Sequence, residues 1–108
     1  MADLLGYDIS LKARDDLSRI WEYTLDNWSE EQADRYHGIL TAGMDSIAAA
    51  PMKVGVPYDE IFPGLRALHV NRHMIFFIVQ PGGRVLIVRI LHDMMDYIRH
   101  LDFPIDVL

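Results

Sequence analysis

Two strongly apolar runs separated by a Pro-Gly-Gly turn constrain the fold of this chain more than any other feature. The runs are MIFFIV at residues 74–79 and VLIV at residues 85–88. Continuous apolar runs of this kind indicate central strands that are covered on much of both faces. Pro81-Gly82-Gly83, which lies between them, is typical of the tight turn of a hairpin. We therefore predict three antiparallel strands, near residues 65–70, 73–80 and 85–91.

The first half of the chain predicts two antiparallel helices. Residues 7–9 are typical of a short strand, and Ser10 is positioned to cap the helix that follows. The apolar side chains at helical spacing in this first helix are Leu17, Ile20, Trp21, Thr24, Leu25 and Trp28. The second helix begins at the capping box Ser29-Glu30-Glu31-Gln32 and ends before Pro51, whose ring cannot continue a helix. Its apolar stripe comprises Ala33, Tyr36, Leu40, Met44, Ile47 and Ala48. We expect four aromatic side chains of the hairpin to lie in the core: Trp21, Tyr23, Trp28 and Tyr36.

Together these elements predict one α+β domain over residues 1–108, with residues 97–108 as a C-terminal tail. An N-terminal strand precedes an antiparallel helical hairpin, which packs on a small antiparallel sheet of three to four strands. Because the helices cover one face of the sheet, the other face must be covered by the tail, a second copy or a partner protein.

Composition narrows the possible functions. The chain has no cysteine, so neither a disulfide nor a thiolate site is possible. No apolar run approaches the roughly 20 residues that a membrane span needs, and residues 1–6 lack the features of a secretory signal. We therefore expect a cytoplasmic protein without membrane contact. The net charge of −6 argues against a protein whose main role is to bind phosphates.

Charge is distributed unevenly along the chain. Residues 1–50 contain ten Asp or Glu against four Lys or Arg, so the helical half is acidic. The segment from residue 61 to residue 92 contains no carboxylate but several cations: Arg66, His69, Arg72, His73, Arg84, Arg89 and His92. We therefore expect the sheet end and the helix end to carry opposite charge, which leaves RNA binding open as a function of the sheet.

Five motifs in one order along the chain resemble the ParE branch of the RelE/ParE toxin superfamily. They are A-x-x-D-L-x-x-I-W-x-Y at residues 13–23, A-D-R-Y at 33–36, G-L-R at 64–66, R-H-x-I-F-F at 72–77 and R-I-L-H-x-x-M-D at 89–96. Each motif is short, but five in order are fairly specific. The resemblance covers residues 7–101.

The resemblance implies the toxin component of a type II toxin–antitoxin module. Well-studied ParE-like toxins inhibit DNA gyrase, and a small antitoxin, often of the ParD type, neutralises them. The toxin would then meet operator DNA only through its antitoxin, and it would need no catalytic step and no cofactor. We expect target or antitoxin binding on the sheet and the tail, at Arg66, Arg72, His73, Arg89, His92, Met95, Asp96, Tyr97, Arg99 and His100. The resemblance implies that the last seven of these form the functional end of the molecule.

Two alternatives remain open. The related RelE branch cleaves mRNA on the ribosome, so this chain could be a RelE-like mRNA endoribonuclease. Attack by the 2′-hydroxyl needs a general base, a cation at the phosphate and an acid for the leaving oxygen. The residues available for these roles are Glu60, Arg66, His73, Arg89 and His92. The other alternative is a non-toxic antitoxin-binding protein.

Several of these residues also have a structural interpretation. Arg66 and Arg89 would pair with carboxylates such as Glu60 or Asp96. His92 would form a local hydrogen bond where the last strand ends. The histidines have no recognised metal-ligand spacing, so we expect no metal site.

Overall fold

The computed structural model describes residues 6–96, which contain five strands and two helices. In chain order they are β1 (Tyr7–Ile9), α1 (Leu11–Asn27), α2 (Glu30–Ala49), β2 (Val56–Pro57), β3 (Arg66–Val70), β4 (His73–Val79) and β5 (Val85–His92). The strands form one sheet in the order β1-β5-β4-β3-β2, and both helices contact it. The predicted α+β architecture is confirmed. Within residues 6–96 no helix is long and apolar enough to cross a membrane.

The sheet has one more strand than predicted, and one of its pairings is parallel. β1 runs parallel to β5, with Tyr7 opposite Val85. The helical hairpin and three further strands lie between β1 and β5 in the chain. Parallel neighbours need a long crossover connection of this kind. β2 adds an antiparallel edge strand beside β3. A two-residue strand that contains a proline has no alternating pattern, so the sequence predicts no strand there.

A β-bulge in the β4–β5 pair sets which side chains of β5 face the helices. The register shifts where β4 passes from Phe76 to Phe77, and the extra residue in β5 resets the alternation of its side chains. Ile87 and Ile90, three positions apart, therefore both lie in the core beneath the helices. Arg89, which lies between them, reaches α1.

The sheet has an apolar core on each face, as its continuous apolar runs predict. The helix-side core contains Tyr7, Ala13, Leu40, Met44, Ile47, Ile75, Phe77, Val85, Ile87 and Ile90. The core on the opposite face contains Leu65, Ala67, Met74, Phe76, Ile78, Leu86, Val88 and Leu91. The connector between α2 and β3, residues 50–65, packs against this second core through Tyr58, Ile61 and Phe62. Part of the cover that we expect from the tail, a second copy or a partner protein thus comes from this connector instead.

Both helices begin where their capping residues predict. The Ser10 hydroxyl accepts the Ala13 N–H at 3.0 Å, and the Ser29 hydroxyl accepts the Gln32 N–H at 3.1 Å, so each cap satisfies one otherwise unpaired donor. The predicted stripe of α2 is confirmed at its four fully buried positions, which are Ala33, Leu40, Met44 and Ile47.

The predicted core positions of α1 are wrong at its C-terminal end. Trp28 is 71% exposed, Tyr23 65% and Leu25 40%. The fully buried residues of this helix are Ala13 and Asp16, both in its first two turns. The first half of α1 therefore packs closely on the sheet and the second half does not. Helical periodicity identifies the apolar face of a helix, but it does not show where the surface beneath that face ends.

Candidate functional site

The structure separates the predicted binding residues of the sheet into three places. Arg72, His73 and His92 meet at one corner of the sheet, where the β3–β4 turn lies beside the end of β5. Arg66 lies at the other end of β3. Arg89 lies against α1. The predicted set is therefore not one surface.

The other predicted residues follow β5. Met95 is 37% exposed, and its neighbour Met94 is 85% exposed. Asp96 is also exposed. Tyr97, Arg99 and His100 lie outside the described residues, as does the predicted tail, so their role stays a prediction.

A histidine corner forms where α2 meets the β3–β4 turn. The Tyr36 hydroxyl lies 2.6 Å from Nδ1 of His73. The backbone N–H of Arg72 donates to the same hydroxyl at 3.2 Å. These contacts are satisfied when the hydroxyl donates to an unprotonated Nδ1, so they fit a neutral His73 ring. The sequence pattern places Tyr36 in the core but does not show where its hydroxyl points, so it could not predict this hydrogen bond.

Two further histidines and one carboxylate complete the histidine corner. His92 lies opposite His73, and their ring centroids are 5.4 Å apart. Nε2 of His69 lies 2.9 Å from Oδ2 of Asp93. Nδ1 of His92 accepts the N–H of Met94 at 3.1 Å, so the predicted local hydrogen bond of His92 is confirmed.

The electrostatics of the corner keep His73 neutral. Burial lowers the pKa of His73 from 6.5 to about 4, and the nearby His92 ring contributes to this shift, although Asp93 and Asp16 oppose it. The hydrogen bond from His69 is the main cause of a lowered pKa at Asp93. A neutral His73 ring carries no positive charge with which to bind a phosphate at pH 7.

We expect the stability of the fold to fall as the pH drops from about 6.5 to about 4, because the unfolded chain protonates His73 in this range and the folded chain does not. The depressed pKa predicts a loss of about 1–3 kcal/mol, since solvent screens part of the effect at a half-buried ring. His73→Gln retains a hydrogen-bond acceptor for Tyr36 but does not titrate. Urea unfolding at pH 7 and pH 5 should show a larger loss for the wild type than for this variant. Equal losses would contradict the prediction.

Arg89 is fixed by a carboxylate of α1. Its Nε lies 2.8 Å from Oδ2 of Asp16, and its Nη2 lies 2.9 Å from Oδ1. Oδ2 also accepts the backbone N–H of Ile90 at 2.9 Å. The two side chains are 17% and 8% exposed, and the hydrogen bonds to Asp16 raise the pKa of Arg89. The pair joins α1 to β5. The expected pairing of Arg89 with a carboxylate is confirmed, and the structure identifies Asp16 of α1 as such a partner.

Arg66 holds the connector after α2. Its Nε donates to the carbonyl of Pro51 at 3.1 Å, and its Nη2 donates to the carbonyls of Val54 and Gly55 at 3.2 and 3.3 Å. The expected pairing with Glu60 is wrong, because these backbone carbonyls occupy the guanidinium instead. One side chain thus satisfies three acceptors of a segment that has little secondary structure of its own.

Arg66→Ala should destabilise the fold by about 1–3 kcal/mol, because three charge-assisted hydrogen bonds are lost while solvent reaches some of the carbonyls. Arg66→Lys should recover less than half of this, since an ammonium lacks the planar fork. The matched control is Arg72→Ala at an exposed turn, for which we expect a change within about 0.5 kcal/mol. Urea denaturation measures all three. An Arg66→Ala protein as stable as Arg72→Ala would show that the hydrogen bonds to the connector contribute little.

Acids of the first half of the chain form ion pairs with some of the cations of residues 61–92. Nε of Arg84 lies 2.9 Å from Oδ1 of Asp8, and this hydrogen bond lowers the pKa of Asp8. Asp16 likewise pairs with Arg89. The predicted separation of charge between helices and sheet is therefore smaller at Arg84 and Arg89, where Asp8 of β1 and Asp16 of α1 lie against the arginines of the sheet half.

The residues proposed for RNA cleavage do not form one site. Arg66 begins β3, whereas His73 begins β4 and pairs with Val70 at the other end of β3, so the two are about 13 Å apart by strand rise. Arg66 and Arg89 are both engaged within the fold. Within residues 6–96 there is no group of three His, Cys, Asp or Glu side chains that could hold a metal ion.

Known proteins share the fold and much of the sequence. The family model of the ParE toxin of the type II toxin–antitoxin system parDE matches residues 7–97. Toxin ParE1 of Mycobacterium tuberculosis is 39% identical over 95 residues, which cover 88% of this chain and 96% of that protein. Toxin ParE of Escherichia coli is 33% identical over 100 residues, which cover 91% and 94%. A chain of the chromosomal ParDE system from P. aeruginosa has a TM-score of 0.68 at 22% identity and covers 82% of this chain and 97% of its own length, which shows a common fold.

Proposed function

Because the chain belongs to the ParE toxin family of type II toxin–antitoxin systems, we propose that it inhibits DNA gyrase by protein–protein contact and that a ParD-type antitoxin neutralises it. The proposed place of action is the cytoplasm, where gyrase works on DNA. Operator DNA is contacted only through the antitoxin.

The observation that carries this proposal is that two arginines of the sheet form their hydrogen bonds within the fold. Arg89 is bound to Asp16, and Arg66 is bound to three carbonyls. An RNA-cleaving site needs cations that are free to meet a phosphate in the transition state. Contact inhibition needs no such groups, only a surface that fits the target, so it agrees better with these contacts.

Induction of the chain in cells without its antitoxin tests the proposal. We expect growth arrest, loss of negative supercoiling from a reporter plasmid and intact transcripts. Cut transcripts with normal supercoiling would favour the endoribonuclease instead. Normal growth with stable, soluble protein would favour the non-toxic antitoxin-binding protein.

A further inference from the structure

From its middle to its C-terminal end, α1 exposes an apolar surface that the described fold leaves partly uncovered. We define the α1 surface as Leu17, Trp21, Leu25 and Trp28. The first three are one helical turn apart, so they share a face, and Trp28 follows at the C-cap. Leu17 and Trp21 line an open cleft of about 430 Å³. Leu25 is 40% exposed and Trp28 71%.

The fold makes little use of the Trp28 side chain. Its backbone N–H donates to the carbonyl of Thr24 at 2.9 Å and so completes the last turn of the helix, but any residue with an N–H can do this. An indole that is mostly in water contributes little to folding. The same indole, buried in a partner, is among the strongest anchors of protein interfaces.

Carboxylates flank the α1 surface on both helices. Residues 20–34 contain no Lys, Arg or His but five exposed acids: Glu22, Asp26, Glu30, Glu31 and Asp34. Glu22 lines the cleft together with His37 of α2. Helical spacing places Asp34 on the same side of α2 as His37. An aromatic surface with acidic edges is complementary to an apolar patch surrounded by Lys and Arg.

The single acid in the last turn of α1 does not stabilise the helix. Asp26 lies in the last turn, which has no basic residue. A carboxylate there faces the negative end of the helix dipole, which is unfavourable by a few tenths of a kcal/mol. A sequence that breaks a local rule without a gain in stability indicates selection for something other than folding.

We propose that the α1 surface docks on a cationic, DNA-binding surface of the target enzyme, with Trp28 as its anchor and the flanking carboxylates paired with Lys and Arg. This inference rests on the proposed function. An enzyme that binds DNA must present Lys and Arg to the phosphates, so an acidic protein surface can occupy the same place. A nucleic acid as partner would be repelled by the acids. A second copy, related by two-fold symmetry, would bring the same carboxylates together.

The test compares matched variants by their affinity for purified DNA gyrase and for the antitoxin. Trp28→Ala is compared with Leu11→Ala, which removes a side chain that is 79% exposed at the other end of α1. Asp34→Asn is compared with Asp45→Asn, another exposed acid of α2, which lies about 16 Å further along the helix. Each binding constant is measured at two salt concentrations, with unfolding followed by circular dichroism.

We expect Trp28→Ala to bind gyrase at least about tenfold more weakly, and Asp34→Asn to bind it about threefold more weakly with a shallower salt dependence. Both should keep the wild-type melting temperature, and neither control should lose affinity for gyrase. Wild-type affinity of Trp28→Ala for gyrase would overturn the inference and leave the proposed function intact. Weakened binding to the antitoxin alone would assign the surface to the antitoxin and overturn the inference too. If the wild type itself does not bind gyrase, both fail.

Discussion

Asp16→Ala is expected to destabilise the protein by about 3–5 kcal/mol, a large part of the total stability of a domain of this size. The substitution leaves the guanidinium of Arg89, which is 17% exposed, without its carboxylate. It also removes the acceptor of the buried Ile90 N–H, at a point of β5 beyond the end of its pairing with β1. A buried charge that loses its carboxylate and an unpaired buried donor both carry a desolvation penalty. Urea unfolding of the purified variant measures the loss.

The neighbouring carboxylate provides the control. Asp15 lies 2.9 Å from Arg19, but these side chains are 60% and 75% exposed, so Asp15→Ala should change stability by at most about 1 kcal/mol. Joint replacement of Asp16 by Leu and Arg89 by Met should recover much of the loss, because two apolar side chains need no pairing. The proposed contribution of this pair would be wrong if Asp16→Ala were no more harmful than Asp15→Ala.

Gly55→Ala should cost about 2–5 kcal/mol, because it combines backbone strain with a collision. Gly55 has φ of +74°, and a Cβ atom there would lie 2.4 Å from the carbonyl oxygen of Ala67. That oxygen belongs to β3 and cannot rotate away as a side chain would. The displacement would also disturb the Gly55 carbonyl, which accepts a hydrogen bond from Arg66. Thermal unfolding of the variant gives the loss.

Gly64→Ala separates the two contributions. Gly64 has φ of +88°, but among the described residues a Cβ atom there would meet nothing within 4 Å beyond its own chain neighbours. Its variant therefore experiences the strain alone, which we expect to cost about 1–2 kcal/mol. A Gly55→Ala protein that is as stable as Gly64→Ala would show that β2 and β3 move apart without penalty.

These stability effects bear on how loss of toxicity is interpreted. A toxin variant at Arg66 or Arg89 can lose activity because the connector or α1 loosens, without any direct contact between the arginine and a target. Only variants that unfold like the wild type, such as Trp28→Ala, report on binding surfaces. The predicted role of Arg66 and Arg89 in target or antitoxin binding stays untested until stability and binding are measured together.

Most of the architecture could be predicted because it depends on local signals. Ser10 and Ser29 mark helix starts through their own hydroxyls, and Gly82 and Gly83 mark the hairpin through their positive φ angles. The sheet cores follow from continuous apolar runs. These features need only a few neighbouring residues, so a single sequence shows them.

The parts that could not be predicted depend on distant contacts. Asp16 looks like a surface residue of an amphipathic helix, and only the fold brings it to Arg89, 73 positions later in the chain. One signal was available: Asp16 shares a helix face with buried Ala13, three positions before it. The exposure of Trp28 could not be predicted either, because its spacing fits a core stripe although its side chain is 71% exposed.

A supercoiling assay with purified DNA gyrase, with the toxin added at increasing dose and then titrated with its antitoxin, tests the central claim most directly. We predict dose-dependent loss of supercoiling, and full recovery once the antitoxin is in excess. Unchanged supercoiling at every dose of folded, antitoxin-free protein would contradict the claim that this ParE family member acts on gyrase.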